Sequence, residues 1–134
     1  MRTKYFVLMA GFALMLAARP LVAHHSFSAE FDANKPFKMT GTVTKVEWMN
    51  PHTFFYIDVK DDKDGKVNNW AMEMGSPNGL MRAGWTRNTM KIGDVVTVEG
   101  SLAKDGSHTG NARAVVMTTT GQRLFAASSQ GQAN

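Results

Sequence analysis

The stretch TFFYIDV, Thr53–Val59, carries the clearest structural signal in the sequence. Its side chains alternate, so that Phe55, Ile57 and Val59 fall on one face of an extended chain and the remaining residues on the other. Aromatic and β-branched residues with a period of two are typical of a half-buried β-strand. The stretch therefore predicts a strand that presents Phe55, Ile57 and Val59 to a hydrophobic core.

Similar runs recur along the chain. Strands are predicted near residues 38–48, 53–60, 67–74, 94–102 and 112–119. In the first of them the apolar positions Val43, Val46 and Trp48 change parity, which predicts a β-bulge or a strongly coiled strand. Residues 76–90 interrupt the alternation and predict a short helical insert. The predicted core contains Phe55, Ile57, Val59, Trp70, Val96 and Val98.

This order of elements favours one fold class. Three strands, a helical connection and two more strands predict an all-β protein, a small five-stranded OB-like antiparallel barrel with a short helical insert between strands 3 and 4. Another small barrel or a sandwich is the alternative. In the OB-fold, the loops between strands 1 and 2 and between strands 4 and 5 flank the ligand surface. Here those loops contain His52 and His108, respectively.

The predicted ligand surface combines these loops with the outer face of the second strand. Its residues are Trp48, Asn50, Phe54, Tyr56 and His108. Aromatic side chains on such a surface can stack on a ligand. Packing within the barrel is the alternative role of Phe54 and Tyr56.

Residues 1–23 have the composition of a secretory signal peptide. A positively charged start precedes Tyr5–Ala18, an uncharged apolar run. This run is shorter than the roughly 20 residues of a membrane-spanning helix, but it matches a signal-peptide core of about 7–15 residues. Cleavage is predicted after Ala23, and cleavage after Ala18 or a retained membrane anchor are the alternatives.

Cleavage after Ala23 predicts a periplasmic or secreted protein that begins at His24 and has no stable membrane span. Residues 24–125 are then one OB-like domain, and residues 126–134 are a disordered tail. The signal peptide holds three of the 15 Lys and Arg residues and none of the 11 Asp and Glu residues, so the mature chain is nearly neutral. Nucleic acid is therefore excluded as a predicted partner. The lack of cysteine excludes thiolate metal sites.

Three short motifs identify a family. They are HHSF at residues 24–27, NPH at residues 50–52 and GSPNG at residues 75–79. With the surrounding sequence they resemble the domain-of-unknown-function 6152 family of small exported bacterial proteins, from His24 to about Phe125. The resemblance implies export and a small β-barrel, but it supplies no activity and no catalytic residue. His108 is not part of the family pattern.

The histidines at the predicted mature N-terminus suggest a copper site. An N-terminal His24 would offer its α-amine and its ring, and His25 or His52 would add another imidazole. Three nitrogens of this kind can bind Cu(II) as a histidine brace, because imidazole and amine suit copper. The alternative is that HHSF follows the signal peptide by accident and that His52 makes a hydrogen bond within its loop.

The sequence WAMEM, Trp70–Met74, suggests a different copper site. Trp70, Met72 and Met74 lie on one face of the third strand, and thioethers are soft ligands that favour Cu(I). The set is similar to that of a small OB-fold periplasmic copper/silver chaperone, but the spacing from Trp to Met is one residue shorter. A core stripe of gap-filling methionines is the alternative. Glu73, on the opposite face, is predicted to be solvated; a role as an acid or a ligand is the alternative.

Three classes of function follow from these residues. A periplasmic binding module for a metal ion or a small ligand, without catalysis, fits the small size of the chain and the histidines at the predicted mature N-terminus and in the loop between strands 1 and 2. A structural or partner-binding accessory of the cell envelope, with no metal, is the alternative; the identity of a protein partner is not predicted. A copper redox enzyme built on the brace is a further alternative, although the chain is small for the substrate surface that such an enzyme needs.

Overall fold

The computed structural model describes residues 27–127, which form six β-strands and two short helices. In chain order the elements are α1 (Phe27–Glu30), β1 (Phe31–Glu47), β2 (Phe54–Lys60), β3 (Val67–Glu73), α2 (Pro77–Arg82), β4 (Val95–Ala103), β5 (Thr109–Met117) and β6 (Arg123–Phe125). The predicted all-β class and the helical insert after the third strand are confirmed. The predicted signal-peptide segment lies outside the described residues, as do residues 128–134 of the predicted tail.

The strands form one sheet in the order β3-β2-β1-β4-β5-β6. These neighbours are antiparallel, and β3 also pairs in parallel with β5 through Ala71–Glu73. The sheet is less regular than the predicted five-stranded barrel. A sixth strand extends it beyond β5, and only three residue pairs join β3 to β5.

The long strand β1 connects the two sides of this sheet. Its first part pairs with β4 and its last part with β2, and both partners meet it at Thr42. The register shifts between Val43 and Lys45, at the point where the apolar pattern changes parity. The predicted bulge is therefore confirmed. It lets one strand turn side chains toward the core on both sides of the shift.

Four of the six predicted core residues are fully buried. Phe55, Ile57, Val96 and Val98 have no exposed surface. Val59 and Trp70 are only half-buried and pack against the edge of this core, so their predicted full burial is wrong. The reason is local, because both side chains line a small cavity of about 210 Å³ that opens at the surface.

The end of the described chain contacts β5 and the segments that flank α2. The indole Nε1 of Trp85 donates to the carbonyl oxygen of Phe125 at 2.8 Å. Ala126 is fully buried, its amide donates to Arg113 O, and its carbonyl accepts from Gly75 N. These bonds hold the GSPNG segment and β6 next to each other, so the fold extends to Ala126. No helix within residues 27–127 is long and apolar enough to cross a membrane.

An ion pair also connects β6 to β4. The Arg123 guanidinium donates to the Glu99 carboxylate at 2.9 Å, and Lys38 lies 3.6 Å from the same carboxylate. The Arg123 hydrogen bond holds the pKa of Glu99 below its ordinary value of 4.5. Because the folded-state pKa is lowered, this group stabilises the fold above about pH 4.5, and the contribution is lost as the pH falls through the folded-state pKa.

We expect Arg123→Ala to raise the pKa of Glu99 toward its ordinary value, since the main donor to the carboxylate is removed. An NMR titration of the Glu99 side-chain carboxyl measures this shift. Urea unfolding at neutral and acidic pH should show a smaller loss of stability on acidification than in the wild type. Arg113→Ala, which removes an exposed arginine from the neighbouring strand β5, is the matched control. An unchanged Glu99 pKa in Arg123→Ala would contradict this assignment.

Candidate functional site

The most distinctive polar feature is a contact between His52 and Glu73. His52 follows the cis peptide bond between Asn50 and Pro51 in the loop from β1 to β2. Its Nδ1 lies 2.5 Å from Oε1 of Glu73, the last residue of β3. The Glu73 residue is 7% exposed and the His52 side chain 31% exposed. A buried carboxylate thus holds a partly exposed imidazole.

The expected solvation of Glu73 is wrong, and the cause lies in the N-terminal part of the described chain. Glu73 is opposite Phe54 in the sheet register. Phe31, at the start of β1, lies on this face and lines a cavity of about 410 Å³ together with Phe54 and Glu73. We call this space the Glu73 cavity. The outer face of β2 and β3 is therefore covered here, although the same face is exposed at Asp58 and Asn69.

The contact with Glu73 determines which ring nitrogen of His52 is available. A carboxylate that accepts from Nδ1–H fixes the proton on that nitrogen, so a neutral ring presents an unprotonated Nε2. Within residues 27–127 the His52 ring makes no other hydrogen bond. The arrangement can therefore present one nitrogen lone pair of fixed direction to a ligand.

His52 also lines a separate cavity of about 430 Å³, which we call the His52 cavity. Its wall includes Gly75, Ser76 and Gly79 of the GSPNG motif, together with Arg82 of α2 and Phe125 of β6. Ser76 begins α2 as its N-cap and its hydroxyl accepts from Gly79 N at 3.2 Å. The fold thus brings together the NPH and GSPNG motifs, which are separated by 22 intervening residues in the sequence.

The start of the described chain is anchored at the rim of the Glu73 cavity. The Phe27 ring stacks on Phe31 with the ring centroids 5.7 Å apart, and Phe31 is 3% exposed. Lys104 donates its amide to Glu30 O at 2.8 Å and its ammonium to Ser28 O at 2.5 Å. Two hydrogen bonds from Lys104 to carbonyl oxygens of α1 therefore hold this segment next to the end of β4. His24 and His25 lie outside the described residues.

A comparison with protein-family models matches residues 13–113 to DUF6152, described as a family of unknown function. The match covers about three quarters of the chain. The chain belongs to the DUF6152 family. The matched residues include the HHSF, NPH and GSPNG motifs, so the resemblance drawn from them is confirmed. Membership of DUF6152 supplies no activity.

Two further comparisons add little to the DUF6152 match. No curated protein matches the chain. Among solved structures, it is similar to a crystal structure of the ZRD-deleted mutant of TiaS in complex with agmatine, with 24% sequence identity and a TM-score of 0.45. The similarity covers 65% of this chain and 22% of that one, so this chain spans about a fifth of the solved chain.

The residues of the predicted ligand surface of this DUF6152 member lie in different places in the structure. Trp48 is half-buried against the core and Asn50 is exposed. Phe54 lines the Glu73 cavity. The Tyr56 hydroxyl donates to Glu47 at 3.1 Å, and burial together with this bond raises the pKa of Tyr56. The predicted residues therefore do not form one continuous ligand surface.

The last predicted surface residue, His108, contacts Trp70. Their rings stack with centroids 4.6 Å apart and an interplanar angle of 24°. They line the small cavity of about 210 Å³ together with Asp61 and Asn68, and His52 is not part of it. The two described histidines thus belong to different surroundings.

Met72 and Met74, the thioethers of the predicted Cu(I) set, are core residues with 0% and 1% exposure. Met72 lies in the core cluster with Phe55 and Ile57. This burial favours the alternative interpretation of WAMEM as a core stripe. Within residues 27–127 no group of three or more His, Asp or Glu side chains could hold a metal ion. A site with three such ligands that includes His52 would therefore need at least one of them from outside this range.

Proposed function

We propose that this protein is an exported, non-catalytic binding module that holds a copper ion at His52. The observation that carries the proposal is the bond between His52 Nδ1 and the buried carboxylate of Glu73. Metal-binding histidines nearly always donate the N–H of their second ring nitrogen to such a partner. This bond orients the ring and makes the metal-binding nitrogen a stronger electron donor. Nε2 is then the metal ligand.

The further ligands in this proposal are the α-amine and ring of His24, with His25 as the alternative imidazole. Three residue steps separate His24 from Phe27 and span at most about 10 Å. Phe27 stacks on Phe31, which lines the Glu73 cavity, and Glu73 in turn holds His52. An N-terminus at His24 would therefore start near this pair. Nitrogen donors of this kind favour Cu(II) among the divalent ions.

The strand pairings support an OB-like assignment as part of the proposal. Strands β1 to β4 each have two partners and β5 has three, and the pairings include the circular order β1-β2-β3-β5-β4-β1. This order matches a small Greek-key barrel, in which the loop between strands 1 and 2 borders the ligand surface. His52 lies in that loop.

The proposal is tested by copper binding to protein that the cell has processed. The full-length gene, with its N-terminal segment, is expressed, and the protein is purified from the periplasm and freed of metal. Competitive titration then gives the Cu(II) affinity. Losing a residue that only hydrogen-bonds to a metal ligand already lowers metal affinity by about 10–100-fold. Because His52 is proposed as a ligand itself, we expect His52→Ala to weaken the Cu(II) affinity by more than about a hundredfold.

His108→Ala is the matched control, because it removes the other described imidazole from a different surface. We expect its Cu(II) affinity to equal that of the wild type. Equal affinities for His52→Ala and His108→Ala would overturn the copper site. Recovery of the protein only outside the periplasm would overturn the proposed export.

A second prediction concerns Glu73 as a positioning residue. Glu73→Gln keeps an acceptor for His52 Nδ1 but removes the charge, whereas Glu73→Ala removes the acceptor as well. We expect about a tenfold loss of Cu(II) affinity for the glutamine variant and closer to a hundredfold loss for the alanine variant. The copper electron paramagnetic resonance spectrum should shift in the same order.

Thermal unfolding and circular dichroism establish whether each Glu73 variant is folded, because this carboxylate is buried. The predicted losses of Cu(II) affinity are compared only between variants that are folded. A folded Glu73→Ala protein with wild-type copper affinity and an unchanged spectrum would show that Glu73 does not position a metal ligand.

A further inference from the structure

The His52 cavity carries a second chemistry that requires no metal. Arg82, the last residue of α2, lines this cavity and is exposed. The described residues that line it include no Asp or Glu. We propose that the cavity binds a small organic anion, a carboxylate carried by a flat apolar group.

The guanidinium of Arg82 is available to such an anion. Within residues 27–127 it makes no ion pair and no side-chain hydrogen bond, in contrast to Arg123, which is bonded to Glu99. A guanidinium binds a carboxylate through two parallel hydrogen bonds. Since no carboxylate of the described wall competes for Arg82, an incoming anion can take both bonds.

The remaining wall favours an organic anion over an inorganic one. Leu80 and Ala83 of the α2 region and Phe125 of β6 supply apolar surface. Phe125 is 44% exposed, although its carbonyl oxygen is held by the Trp85 indole. A partly exposed aromatic ring thus lines the same cavity as the Arg82 cation. A space of about 430 Å³ lies within the size range of small-molecule sites.

Benzoate is the probe, because it combines a carboxylate with a flat ring. The same periplasmic protein, freed of metal by a chelating resin, is titrated with benzoate while amide ¹H–¹⁵N NMR shifts are followed. We expect saturable shifts in residues 76–83 and at Phe125, with a dissociation constant of about 0.1–10 mM for so small a ligand. Benzamide, which has the same shape without the charge, should bind at least about tenfold more weakly.

Two arginine variants provide the matched comparison. Arg82→Gln should weaken benzoate binding by at least about tenfold. Arg87→Gln, at an exposed arginine that does not line the cavity, should leave it unchanged. The proposal is overturned if these residues show no shifts with about 20 mM benzoate, if benzamide binds equally well, or if both variants match the wild type.

Failure of this inference can be distinguished from failure of the copper site. Benzoate binding is measured without metal, and Arg82→Gln should keep the wild-type affinity for Cu(II). Binding of benzoate that appears only after copper is added would overturn the metal-independent anion site.

Discussion

Ile57→Ala is expected to lower the free energy of unfolding by about 2–5 kcal/mol, the usual cost of removing a large buried aliphatic side chain. Ile57 lies in the middle of β2, has no exposed surface, and is opposite Val43 on one side and Trp70 on the other. Its loss leaves a void in the core cluster that the closely packed neighbours fill only in part. Urea unfolding of wild type and variant measures the difference.

Two control substitutions make this result specific. Ile57→Val removes one methylene and should cost about 0.5–1.5 kcal/mol. Ile92→Ala removes the same atoms as Ile57→Ala from a side chain that is 72% exposed, and should change stability by less than about 0.5 kcal/mol. If Ile57→Ala and Ile92→Ala have the same effect, Ile57 does not belong to the core.

The fold could be predicted from the sequence where a strand is long and has one polar face. The alternation in β2 and the change of parity at Val43 in β1 are both visible in the residues and both confirmed. β6 was missed because three residues are too few to show a period. The first part of β1 was missed because Pro36 and the polar residues before it interrupt the alternation, while pairing with β4 still keeps the chain extended.

The candidate site could be predicted only in part. The position of His52 between the first two strands follows from the strand pattern, and the structure confirms it. Its partner Glu73 was expected to be solvated because alternation shows which face a side chain lies on, but not what covers that face. Phe31 covers it, from a segment 42 residues earlier in the chain. Such long-range contact has no local signature.

For Trp70, Met72 and Met74 the sequence predicted the shared face of the strand but not the role of the side chains. The period of two correctly placed the two methionines on one face, and that face is the core. Residue type alone could not separate a thioether ligand from a gap-filling side chain. The burial of both methionines favours packing.

The largest effect on binding is expected from a single glycine inserted between Ala23 and His24. If His24 is the first residue of the processed protein, the insertion turns its α-amine into a peptide nitrogen and displaces its ring by one residue. A histidine brace would lose the α-amine of His24 as a ligand, and the His24 ring would no longer be in position to bind the metal. We therefore expect the Cu(II) affinity to fall by more than about a hundredfold, beyond the usual cost of losing an outer-sphere partner.

Mass spectrometry of the periplasmic protein provides the control for this insertion. The wild type should begin at His24 and the variant at the inserted glycine, and thermal unfolding of both metal-free proteins establishes that each is folded. A wild-type protein that begins at Arg19 would contradict the brace directly, since no histidine would then carry the free amine.

The Cu(II) affinity of these two proteins, measured side by side by competitive titration, tests the proposed copper site most directly. We expect the wild type to bind one copper ion tightly and the glycine-extended protein, with His52 and Glu73 intact, to lose more than about a hundredfold in affinity. Equal copper affinities in the two proteins would contradict the proposed copper site.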